Sequence, residues 1–75
     1  MIYMTIGSNI RSLRERKGLT QFELAERAGV TQAHISRCES GCKTPTLKLC
    51  VKISAVLGCR IGDIIDIDTD ERSAV

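Results

Sequence analysis

Aromatic residues are nearly missing from this chain: 75 residues include no Trp, one Phe and one Tyr. An interior must therefore be assembled from Ile, Leu, Val, Ala and Cys. Nowhere is there a run of eighteen apolar residues, so no membrane span is expected. The opening MIYMTIGSN lacks a basic segment leading into an apolar stretch, so it does not read as a secretory signal. The two absences together point to the cytoplasm. There is one His, with no acid placed to orient it, and neither a Gly-rich phosphate loop nor a nucleophile motif. An enzyme is not expected. Repeats, linkers and low-complexity tracts are absent too, and a chain this short makes one domain that buries only about 60–65% of its unfolded surface.

What is present is organised around TQFELAERAGVTQAHISRCESG, residues 20–41. Thr20 with Glu23 three residues on has the form of a capping box, so a helix should start near Gln21. Leu24, Ala25 and Ala28 give it an apolar face, and Gly29 stands where a left-handed C-terminal residue is wanted. Val30 and Thr31 then lead into a second helix that points Ile35 and Cys38 inward and closes at Gly41. Two short helices joined by three or four residues with Gly at the bend form a helix-turn-helix.

Upstream, Ile6, Ile10 and Leu13 predict a first helix over about 5–17, ended by Gly18, with a basic C-terminal half that suits the helix dipole. Downstream, Pro45 forbids a helix through the loop at 42–45, and Thr46 can cap a fourth helix over 47–57. Its apolar face is expected to comprise Leu47, Cys50, Val51, Ile53, Ser54 and Leu57. Gly58 ends it, and Ile61, Ile64 and Ile65 predict a short fifth helix over 61–66. The reading is all-α, a compact five-helix bundle with helices at about 5–17, 21–28, 32–40, 47–57 and 61–66. Residues 1–66 form the domain, and 67–75 a flexible, acidic C-terminal tail. Charge follows the same division. Residues 1–60 hold ten Lys/Arg against four Asp/Glu, and residues 61–75 one Arg against five acids, for a net charge of +2. A basic body suits a polyanionic partner, from which the acidic end should face away.

The chain resembles the phage-repressor/Cro-like (XRE) helix-turn-helix family over roughly residues 5–66. Gln21, Leu24, Ala25, Gly29, Val30, Gln32, Ile35, Ser36, Glu39, Gly41 and Pro45 carry the resemblance, with Ile10 and Arg14 upstream and Leu47, Ile53, Leu57, Gly58 and Ile61 downstream. It implies a lambda-repressor-like fold and a DNA-binding transcriptional regulator, most plainly a homodimeric repressor on an inverted-repeat operator. Because the chain stops soon after the fifth helix, no separate sensor domain is expected. This is similar to small phage-type repressors and to the controllers of restriction–modification systems.

In this reading helix 32–40 enters the major groove. Its outward face holds Gln32, Ala33, Ser36 and Arg37, with His34 to the side. Gln can pair with adenine and Arg with guanine, each worth about 1–3 kcal/mol of discrimination, and the Ala methyl suits thymine. By family position Gln32, Ala33, His34 and Arg37 would read bases. Gln21, at a helix N-terminus that favours anions, and Ser36, Ser40, Lys43 and Thr44 would contact phosphates. Arg14 would pair with Glu39 in a structural ion pair. Cys59, Ile61, Ile64 and Ile65 are candidates for the dimer interface, or else simply close the core.

The four cysteines suggest no disulfides without a sign of export. His34, Cys38 and Cys42 are spaced four apart, but Gly41 should break that stripe, so no metal is expected. No cofactor or small-molecule ligand is expected either. Cys38, Cys50 and Cys59 fall at core positions, whereas Cys42 sits in an exposed loop where oxidation could hinder docking. Two rival readings remain at this stage: a protein-interaction module on the same fold, antitoxin-like or regulator-binding, and a thiol or metal sensor that binds DNA.

Overall fold

The computed structural model describes residues 6–65 as five helices. They are α1 (Ile6–Lys17), α2 (Gln21–Ala28), α3 (Gln32–Ser40), α4 (Leu47–Leu57) and α5 (Ile61–Ile65). Thr5 and Asp66, the outer edges expected for the first and last helices, lie outside the described residues, as does the tail at 67–75. Between them the bounds agree with those read from the sequence.

The agreement has local causes. The Thr20 hydroxyl accepts the Glu23 N–H at 3.0 Å while Glu23 Oε1 accepts the Thr20 N–H at 2.9 Å, the reciprocal pair of a capping box. That backbone N–H holds the Glu23 carboxyl below its ordinary range. Its contribution to the cap is therefore present at neutral pH and is lost as pH falls through the lowered value. Thr31 and Thr46 cap α3 and α4 by accepting the N–H groups of His34 and Leu49, each at 3.1 Å. At the other ends, Gly29 (φ 77°) and Gly41 (φ 88°) take the left-handed conformation that terminates α2 and α3. A Cβ at either site would strain the backbone.

Alone, helices of eight and nine residues such as α2 and α3 would be marginal in water. They persist because five branched aliphatic side chains, Ile10, Leu24, Ile35, Ile53 and Ile64, meet with no exposure at all, together with Cys38 and Cys50. Each aliphatic side chain so buried contributes about 1.5–3 kcal/mol relative to an exposed one. Helices α2 and α3 pack on each other; α1 backs α3, α4 backs α2, and α5 closes the far side against α1 and α4. Asn9 Nδ2 donates to the Ile64 carbonyl at 2.7 Å, tying the short α5 to α1. Among the described residues no buried polar side-chain atom lacks a hydrogen bond.

Gly7 fixes how closely α1 approaches α3. A Cβ there would collide with the Cys38 carbonyl oxygen and press on that of Glu39, both rigid backbone. Replacing Gly7 by Ala must therefore push α1 off the C-terminal end of α3. We expect Gly7→Ala to cost about 1–3 kcal/mol, the usual range for overpacking, in a chemical denaturation curve. Wild-type stability would mean that α1 does not seat on α3 this closely.

Candidate nucleic-acid interface

Helix α3 divides cleanly into two faces. Ile35 and Cys38 are buried in the core, while Gln32, Ala33, Ser36 and Arg37 are exposed and His34 is half-exposed. The outward residues recur at helical spacing, so they form one contiguous polar strip.

The orientation of this strip is set by Glu39. Its side chain is 3% exposed, and the carboxylate meets the Arg14 guanidinium in a two-point pair, Nε to Oε2 at 2.7 Å and Nη2 to Oε1 at 3.0 Å. Arg14 Nη1 also donates to the Leu19 carbonyl at 2.7 Å, and Gln21 Nε2 donates to Glu39 Oε1 at 3.0 Å. The Glu39 hydrogen bond raises the Arg14 pKa against the opposing effect of burial, so the guanidinium keeps its charge. One carboxylate thus joins α1, the start of α2 and the end of α3.

Gln21 is therefore placed differently from a free phosphate ligand. It is half-buried and its amide is engaged with Glu39. The capping box uses the N–H groups of Thr20 and Glu23, which leaves the Gln21 and Phe22 amides as the first-turn donors outside it. Downstream, Lys43 and Thr44 are exposed in the loop after α3, and the Ser40 hydroxyl donates back to the Arg37 carbonyl at 3.1 Å. The same carbonyl accepts the N–H groups of Cys42 and Lys43 at 3.0 and 3.2 Å, folding the loop tightly onto the helix end.

Two further points bear on the sequence reading. Ile64 has no exposed surface and belongs to the protomer's own core, so it offers nothing to a second copy. Cys59, Ile61 and Ile65 are half-buried against that core. Helix α4 was expected to turn Leu47 and Val51 inward, yet both are more than half exposed, along with Phe22 of α2. Apolar character at 47 and 51 extends the helical stripe past the width of the contact, and periodicity alone cannot show where the contact ends. Cys38 and Cys50 are buried, and burial pushes their thiols up, as it does for half-buried Cys59; Cys42 is exposed. Among the described residues no three potential ligands gather as a metal site, and no helix is long and apolar enough to cross a membrane.

A short helix pair with a tight glycine bend, the second helix showing a polar outer face and locked at its base by a buried ion pair, defines a helix-turn-helix protein. A family profile described as Helix-turn-helix matches residues 10–64, and the chain belongs to that family. It is 47% identical over 62 residues to an uncharacterized HTH-type transcriptional regulator of Methanothermobacter thermautotrophicus, covering 81% of this chain and 90% of that one. It is 37% identical over 62 residues to the HTH-type transcriptional regulator SinR of Bacillus subtilis; the match takes in 81% of this chain but only 56% of SinR. The structure of SinR, the master regulator for biofilm formation, in complex with DNA superposes with a TM-score of 0.72 at 38% identity, covering 76% of this chain and 92% of that one.

Arg14→Ala would strand the Glu39 carboxylate in the interior. We expect a loss of about 3–5 kcal/mol in equilibrium denaturation, whereas exchanging both partners for apolar residues of similar volume should recover much of it. A loss below 1 kcal/mol for Arg14→Ala would show that the pair is solvated.

Proposed function

We propose that this chain is a sequence-specific transcriptional regulator that binds double-stranded DNA as a homodimer and represses from an inverted-repeat operator. The observation that carries the reading is the outward strip of α3, polar and anchored at its base by Arg14 and Glu39. The solved DNA complex of SinR, similar in sequence and fold, supports it.

In this mechanism α3 enters the major groove. Gln32 presents an amide that donates to adenine N7 and accepts from its N6 amino group, Arg37 a two-point donor to guanine, Ala33 a methyl to thymine, and His34 a ring at the edge of the strip. Ser36, Ser40, Lys43 and Thr44 approach the backbone on the flanks, and the free first-turn amides at Gln21 receive a phosphate at the start of α2. These phosphate contacts set register and make affinity fall with salt, while the strip reads sequence.

Leu47 and Val51, exposed one turn apart on α4, serve in this reading as the surface covered by a second copy. Helix α4 leaves the short loop that follows α3, so a twofold axis there couples two reading helices through few intervening residues. Half-site centres then stand about 34–36 Å apart.

Selection of bound duplexes from a random library at near-physiological salt tests the first part. The wild type should enrich an inverted repeat. Arg37→Ala should relax one position per half-site, at a cost of about 1–3 kcal/mol for the preferred base. No enrichment, with binding indifferent to Arg37, would overturn the reading and turn attention to a protein partner. For the dimer, Val51→Glu should shift sedimentation to the monomer and abolish preference for paired over single half-sites. Unchanged sedimentation would remove α4 from the interface.

A further inference from the structure

Between the start of α3 and the flank of α4 lies an open groove lined by Val30, His34, Thr46, Lys48, Leu49 and Lys52. Val30 and Leu49 form an apolar base, and the lysines are exposed. Lys48 and Lys52 are one turn apart, about 6 Å along the axis at 1.5 Å per residue. Among the described residues neither makes an ion pair, in contrast to Arg11 and Arg14, which are matched by carboxylates. The neighbouring sequence is basic as well: residues 40–62 contain four Lys/Arg and no Asp or Glu. This groove therefore combines uncompensated positive charge with a wall, His34, that belongs to the side of the reading strip.

We infer that the groove seats phosphates of the DNA strand that borders α3, with Lys48 and Lys52 as the cations that hold them. The inference rests on the regulator reading and adds to it a phosphate contact made by α4. Its position explains the choice of ligand. With α3 inserted far enough for His34 to reach a base edge, the strand flanking that base passes the mouth of a groove walled by the same side chain. Two flexible ammonium groups suit this role, since they follow a backbone as point charges without demanding one base or one geometry. Hydrocarbon stems over Val30 and Leu49 can lie along the apolar base while the charged heads stay in water.

The test is the salt dependence of binding to the selected operator. It compares wild type, Lys48→Gln/Lys52→Gln, and a control that removes equal charge on the α5 side, Arg16→Gln/Arg60→Gln. Each phosphate neutralised contributes about 0.9 to the slope of log K against log salt. The lysine pair should thus flatten the slope by about 1.8, weaken all duplexes alike and leave the enriched sequence unchanged; the control should retain the wild-type slope. An unaltered slope for the lysine variant, or equal flattening in the control, overturns the inference while Arg37-dependent selection by the wild type still upholds the regulator reading. A wild type without Arg37-dependent binding overturns both.

Discussion

The carboxylate of Glu39 is the point through which the arrangement of this small protein is transmitted. It is almost fully removed from water, which is unfavourable for a charge unless every lone pair finds a partner. Arg14 and Gln21 supply those partners from two other helices. A buried pair of this kind adds little to stability over well-packed apolar residues, because desolvation offsets most of the Coulombic gain. Its effect is directional. An apolar contact tolerates sliding, whereas a two-point guanidinium–carboxylate pair holds only in a narrow geometry. With the base of α3 held by that pair and its flank by Ile35 and Cys38, the helix has one orientation against α1 and α2.

Everything else in the domain makes this anchoring affordable. A domain this small buries a limited share of its surface, and without large rings the core depends on close contact among small side chains. Gly7 permits that contact between α1 and α3, while threonine caps and left-handed glycines end the helices where the packing requires. The sulfurs of Cys38 and Cys50 fill space as small apolar groups, and their raised pKa values keep them as neutral thiols.

The parts legible in the sequence are those whose signals are local. Thr20 with Glu23, Gly29, Gly41 and Pro45 mark helix ends by chemistry contained within a few residues, and the helix bounds follow from them. Ile10, Leu24, Ile35 and Ile53 each belong to a helical-period pattern on their own helix and lie in the core. Less legible were the features decided by which surface meets which. Leu47 and Val51 are as apolar as their buried neighbours, and only the packing of α4 shows that they face outward. Ile64 lies on a five-residue helix too short to display a face, so core and interface could not be told apart. The attachment of Gln21 to Glu39 joins positions eighteen residues apart, on a carboxylate that Arg14 of α1 also holds, which no spacing rule anticipates. Lys48 and Lys52 look like an ordinary solvated pair until α4 is seen beside His34.

The two-sided character of α3 also bears on how such a protein can change over generations. Side chains that hold the helix and side chains that face outward are separate sets: Ile35, Cys38 and Glu39 on one side, Gln32, Ala33, Ser36 and Arg37 on the other. Replacing exposed residues away from caps and networks usually alters stability by no more than about 0.5 kcal/mol. A lineage carrying this fold can therefore exchange the outward set almost freely, trying new targets one residue at a time without passing through unfolded intermediates. Drift in the inward set has no such freedom, since each of its members is tied to another helix.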